Sequence, residues 1–276
     1  MLPNFIILGS QKAGTTSTYE VFKLHPEIFM PAKKELNYFF HQAEYAKGTK
    51  YYQNYFTAAQ ANAIAVGEAS PGYICHPEAP RRIHRLLPEA KLIVTVRNPI
   101  ARAYSQFWDN RRSLSESLSF PEVIEQALEP TYQPGRLGYF SRGTYMQYIQ
   151  RYLDLFPAEN LLVLPFEDLQ DDPQGFYRKC FEFLGVDPDF TCPEMSQAAN
   201  PAAVWDNSLY RWFFEHPHRA RWLPAKLRRF TFWGKRVPYQ YPPMDAESKA
   251  RLVDFYQPWN QRLGEFLERN LSTWNE

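Results

Sequence analysis

Cysteine is scarce in this chain. There are three in 276 residues, at positions 75, 180 and 192, and no two form a C-x-x-C pair. That argues against a disulfide framework and a structural zinc site, and it fits a reducing compartment such as the cytoplasm. Long apolar runs are also missing; none approaches the roughly 20 residues that a membrane-spanning helix needs. Only Met1-Leu2-Pro3-Asn4 precede the first apolar run, which leaves no room for a signal peptide. No repeat or low-complexity segment is found. Neither sign of charge dominates: 31 Lys+Arg stand against 30 Asp+Glu, a net +1, so bulk charge does not point to nucleic acid. One further absence is local. The triphosphate-binding motif G-x-x-x-x-G-K-[ST] is nearly satisfied by Gly9 and Gly14, but Thr15 occupies the lysine position, and the lysine sits at 12, two places before Gly14.

What is present is aromatic and apolar enough for a sizeable core. Phe5-Ile6-Ile7-Leu8 reads as a strand, Gly9 to Gly14 as a loop, and Thr15 to Leu24 as a helix stopped near His25-Pro26. A helix N-terminus after a glycine-bracketed loop offers free N–H groups and the positive end of the helix to a phosphate. An ordinary strand–turn–helix connection with a surface lysine is the competing reading. Further strands are expected at 28–30, 63–66, 91–96 and 161–164, and helices at 50–56, 77–87, 100–112, 121–128, 145–156 and from Asp172-Pro173 onwards. Pro130 to Gly138 reads as a loop. Asp245 is placed to cap a long last helix that contains Pro258. Strands alternating with helices predict an α/β fold, a central parallel sheet flanked by helices. A single domain over 1–276 is expected, with a cofactor-binding core over about 4–190 and a helical C-terminal part over about 191–276.

Ligands of open parallel sheets bind beyond the carboxyl ends of the strands. Four such ends carry polar groups here: the Lys12 loop, Glu68-Ala69-Ser70, Arg97 with Ser105 on the following helix, and Phe166-Glu167-Asp168. An arginine leaving a buried strand requires an anion, and its guanidinium suits phosphate. A salt bridge to Glu68 or Asp168 would serve equally.

Gly9-Ser10-Gln11-Lys12-Ala13-Gly14-Thr15-Thr16 followed by Arg97-Asn98-Pro99 through Ser105 resembles the two cofactor signatures of sulfotransferases that use 3′-phosphoadenosine 5′-phosphosulfate (PAPS). Lys34-Glu35-Leu36-Asn37-Tyr38-Phe39, Gly67-Glu68-Ala69-Ser70-Pro71, Arg142-Gly143-Thr144-Tyr145 and the stretch from Leu161 to Asp172-Pro173 add to the resemblance, which covers about residues 4–190. It is strongest to bacterial sulfotransferases and the heparan sulfate O- and N-sulfotransferases. The resemblance implies the nucleoside-triphosphate-hydrolase-like sulfotransferase fold and in-line sulfuryl transfer from PAPS, leaving 3′,5′-ADP, with no metal. It implies that Gln11, Lys12, Ala13, Gly14, Thr15, Thr16 and Ser17 hold the 5′-phosphosulfate, that Lys12 stabilises the leaving phosphate, and that Arg97 and Ser105 bind the 3′-phosphate. Lys235 and Arg236, in a late basic loop, would complete the nucleotide site. Glu35 would be the general base, with Leu36, Tyr38 and Phe39 removing water from it; His41 and Glu68 are the reserve candidates. The heparan sulfate enzymes usually carry lysine where this chain has Ala69, a difference that bears on the acceptor.

Residues 211–236 hold eight cations against one acid, Glu215, with Trp212, Trp222 and Trp233 interleaved. They form either a solvated face or a surface that attracts an anionic acceptor or a membrane. Aromatic residues around 36–60, 113–140 and 195–240 suit a small aromatic molecule, a glycan or a lipid-like acceptor. A nucleotide kinase or triphosphatase with a variant loop, or a non-catalytic nucleotide-binding protein, are the alternatives from other classes.

Overall fold

Apolar β-branched runs separated by helices assemble into one parallel sheet. The computed structural model describes residues 1–59, 62–128, 138–197, 202–220, 222 and 224–275. Its strands are β1 (Phe5–Gly9), β2 (Ile28–Phe29), β3 (Ala65–Ala69), β4 (Lys91–Val96) and β5 (Leu161–Pro165), in the order β2-β3-β1-β4-β5. Every neighbouring pair is parallel. All residues of β1 and β3 are buried, as a parallel sheet covered on both faces requires. The residues group into two compact units, Met1–Asn98 with Tyr145–Asn200 and Glu265–Glu268, and Pro99–Thr144 with Pro201–Gly264 and Arg269–Glu276.

The first unit contains the sheet. Phe5, Ile7, Phe22, Ile93, Leu164, Phe176 and Phe181 belong to its buried core. The helix Pro173–Leu184 is started by Asp172, whose side chain accepts the Gly175 N–H at 2.9 Å, and ends at Gly185 with φ 78°. β3 departs from expectation. It begins at Ala65 rather than 63 and continues through Gly67 and Glu68 instead of stopping at Val66. Gly67 is needed inside it because a Cβ there would lie 2.4 Å from the Phe5 ring. Glu68 is tolerated because hydroxyl groups satisfy its carboxylate.

In the second unit the helices Pro99–Arg112 and Phe120–Leu128 pack with the long helix Ala246–Phe266 through Ile100, Phe107, Phe120, Ile124, Leu252 and Tyr256. Asp245 caps that last helix, accepting the Ser248 N–H at 2.8 Å, and the helix runs through Pro258. A two-stranded antiparallel ribbon, β6 (Ala203–Trp205) and β7 (Arg236–Pro238), lies in the part expected to be helical. Between its strands the helix Ser208–Glu215 is capped by Asn207 and buries Tyr210. Arg221 and most of the loop expected over 130–138 lie outside the described residues. No helix among the described residues is long and apolar enough to cross a membrane.

Candidate active site

The Lys12 loop begins with a slip in pairing. Ile7 pairs with Ile93 but Gly9 with Val94, so β1 carries one extra residue as it leaves the sheet. The Ser10 N–H then donates to the Thr95 carbonyl at 2.8 Å. Lys12 and Gly14 take left-handed backbone angles, φ 69° and 81°. A side chain on Gly14 would also meet Leu169 and Phe166 at under 3 Å. The helix Thr15–Leu24 follows directly, with no side-chain cap and no acid in its first turn. The first-turn amides of any helix have no preceding turn to bond to. Beside the loop the Ser10 and Thr95 hydroxyls are buried without a hydrogen-bond partner. A polar cradle at a positive helix end fits the phosphosulfate of a nucleotide.

Arg97 stands at the end of β4, which is held from two sides. The Tyr145 hydroxyl donates to the Arg97 carbonyl at 2.9 Å and lies 3.3 Å from the Arg97 N–H, while Glu167 Oε1 accepts the Asn98 N–H at 2.9 Å. The guanidinium donates from Nη1 to the Lys12 carbonyl at 2.8 Å and lies 5.0 Å over the Phe166 ring. The structure thus joins Lys12 and Arg97, which are 85 positions apart. The two acids expected as alternative partners each have other contacts. Asp168 pairs with Lys179 at 3.7 Å. Glu68 is buried among Tyr52, Ser70 and Tyr73, whose hydroxyls donate to it. Burial pushes the Glu68 carboxyl upward against the pull of those three bonds, and burial followed by the Glu68 charge pushes the Tyr52 and Tyr73 phenols well up. The sequence places Tyr145 at the start of a helix and Glu167 at a strand end, both within the resembling segments, but shows neither contact with the end of β4. The position of Glu167 just past β5 was the available signal.

Glu35 reaches the same edge of the sheet. Its N–H donates to the Ala69 carbonyl at 3.0 Å, at the end of β3. Its side chain does not fulfil the expectation of desolvation. Leu36, Tyr38 and Phe39 turn inward and are buried, while the Glu35 side chain is 47% exposed and pairs with Lys34 at 3.0 Å. The backbone at Glu35 has φ 57°, so this residue turns away from the path of its apolar neighbours. His41 is exposed and Glu68 fully engaged.

Ser105, Lys235 and Arg236 belong to the second unit. Ser105 is half-buried on the helix Pro99–Arg112, about two turns before Arg112 and on the same helix face. Lys235 and Arg236 are exposed on the ribbon. The Lys235 carbonyl accepts the Asp206 N–H at 2.8 Å, and the Arg236 guanidinium lies 5.9 Å over Trp205. Arg236, Arg112, Trp205 and Phe232 line a cavity of about 190 Å³.

A family model described as a sulfotransferase domain matches residues 2–216. The chain belongs to the PAPS-dependent sulfotransferase family. It is 30% identical over 283 residues to the mouse bifunctional heparan sulfate N-deacetylase/N-sulfotransferase 4, covering 97% of this chain and 30% of that protein. It is 32% identical over 267 residues to the human heparan sulfate glucosamine 3-O-sulfotransferase 6, covering 94% of this chain and 70% of that protein. It therefore spans about three tenths of the length of the bifunctional relative. A sulfotransferase from Alicyclobacillus acidocaldarius has a similar structure, with a TM-score of 0.73 and 28% identity over 100% of both chains.

Proposed function

We propose that this sulfotransferase transfers its sulfuryl group to a hydroxyl or amine of a glycan, with Glu35 as general base. The observation that supports this reading of the site is the bond from Arg97 to the Lys12 carbonyl, which links the segments that follow the neighbouring strands β4 and β1. The choice of a glycan rests on the two relatives named for heparan sulfate.

PAPS supplies a sulfuryl group already activated by its bond to phosphate. Around it, the amides of Gln11 to Ser17 and the hydroxyls of Thr15, Thr16 and Ser17 bind the phosphosulfate. Lys12 offers a positive charge to the oxygen that gains negative charge as the bond to sulfur breaks. Arg97 and Ser105 bind the 3′-phosphate, and Lys235 and Arg236 the nucleotide beyond it. Glu35 accepts the proton that the acceptor oxygen or nitrogen loses as it attacks sulfur. Its exposure leaves it within reach of an acceptor arriving from solvent.

The test is transfer from radiolabelled PAPS to a panel: an unsulfated polysaccharide of N-deacetylated glucosamine and uronic acid, simple phenols, and lipid alcohols. Label on the polysaccharide is expected. Label on phenols or lipids alone removes the glycan assignment, and tight binding of 3′,5′-ADP without transfer to any acceptor removes the enzymatic one. Glu35→Gln should lower kcat by about 10²–10⁴-fold with unchanged affinity for 3′,5′-ADP. Wild-type turnover in that variant would remove Glu35 as the base.

A further inference from the structure

Glu68 lies within β3 with 1% of its surface exposed, and the proposed reaction gives it no part. A buried carboxylate is costly and an apolar residue would fill the same volume more favourably, so packing alone does not account for it. Its bonds do. Tyr52 and Tyr73 donate to Oε1 at 2.7 and 2.9 Å, and Ser70 donates to Oε2 at 2.6 Å. Two of these hydroxyls also face the turn that carries Glu35. Ser70 Oγ accepts the Asn37 N–H at 3.1 Å, and the Tyr73 hydroxyl accepts the Phe39 N–H at 3.3 Å.

A hydroxyl has one proton to donate. When Ser70 and Tyr73 direct theirs at Glu68, only lone pairs remain to face Asn37 and Phe39, and those backbone groups are both donors. We infer that Glu68 is a positioning residue: by accepting the Ser70 and Tyr73 protons it fixes both hydroxyls as acceptors and so anchors the turn that presents Glu35. The inference rests on the assignment of Glu35 as base. The turn needs such anchors because Glu35 and Asn37 both hold left-handed backbone angles, φ 57° and 53°, which L-residues with a side chain seldom adopt. The Glu35 N–H bond to the Ala69 carbonyl is one anchor. The ring of Tyr38, stacked on that of Tyr52 at 4.4 Å, is another. Tyr52 therefore links Glu68 to the turn by a second route.

The experiment compares Glu68→Gln, Ser70→Ala and Tyr73→Phe by amide hydrogen exchange and by steady-state kinetics. Glutamine has the shape of glutamate but replaces one acceptor with a donor, so one hydroxyl must turn its proton elsewhere. In Glu68→Gln at least one of the Asn37 and Phe39 amides, whichever is held by the hydroxyl facing the glutamine NH2, should exchange about tenfold faster or more, while the amides of the helix Pro173–Leu184 keep their rates. Ser70→Ala should speed exchange at Asn37 alone and Tyr73→Phe at Phe39 alone, which keeps the test valid if the glutamine variant folds poorly. kcat of Glu68→Gln should fall about tenfold with unchanged affinity for 3′,5′-ADP, and this loss should vanish when Glu35→Gln is already present. Unchanged exchange at both amides overturns the inference. So do losses from Glu68→Gln and Glu35→Gln that multiply, because Glu68 would then act on something other than Glu35. Wild-type turnover in Glu35→Gln alone removes the base assignment, and the exchange rates then decide by themselves whether Glu68 holds the turn.

Discussion

Arg97 meets the Lys12 carbonyl at 2.8 Å and the face of Phe166, so under the proposed function one side chain would both stiffen the Lys12 loop and carry charge for the nucleotide. The two contributions separate by ligand. Arg97→Ala should weaken 3′,5′-ADP by about 10–100-fold, the worth of a charge-assisted bond, and should weaken 5′-ADP less, because that ligand has no 3′-phosphate to lose. Isothermal titration of both nucleotides reads the difference; equal losses would mean that Arg97 acts only through the loop. Lys12 and Arg97 were legible in the sequence because each follows an apolar run that announces a strand. The arrangement around Glu68 was not, because Tyr52 and Tyr73 lie 16 and 5 positions from it and nothing in their spacing shows that they converge. Glu35 was legible as a candidate but not in its exposure, since its aromatic neighbours suggested burial and the backbone turn sends them elsewhere.

At the level of elements, β1 and β4 stood out as unbroken apolar runs. β3 did not, because Gly67 and Glu68 look like a strand's end. Their roles are specific: Gly67 lets the Phe5 ring lie against the backbone. Gly67→Ala should therefore cost about 1–3 kcal/mol through overpacking, read as a lower urea midpoint with an unchanged slope. A cost within a few tenths would show that the Phe5 ring moves aside freely. The ribbon of β6 and β7 escaped the sequence reading for another reason. Three residues per strand carry too little alternation to register, and their partners are separated by a helix and a basic, tryptophan-bearing stretch.

Over the whole molecule charge is balanced, so the pH dependence of stability reflects individual buried groups more than net repulsion. Glu68 is the clearest of these. Its carboxyl titrates higher in the folded chain than in the unfolded one, so the folded state holds the proton more tightly. The stability linked to that proton is complete below the unfolded carboxyl range and is lost as pH rises through the higher folded value. Wild type should therefore gain stability relative to Glu68→Gln as pH is lowered through that window, measured by urea unfolding at a series of pH values. A difference that does not change with pH would contradict the shift. The strand order has a different consequence, for the making of the protein. β1 occupies the middle of the sheet, yet it is synthesised before every strand that pairs with it. While the chain grows, Phe5–Gly9 has two open edges and a fully apolar sequence, closed on one side once Ala65–Ala69 emerges and on the other once Lys91–Val96 follows. The Lys12 loop, which follows β1, is thus translated ahead of both of that strand's partners and takes its final form only after Lys91–Val96 has emerged, an interval in which a holding chaperone has the most to protect.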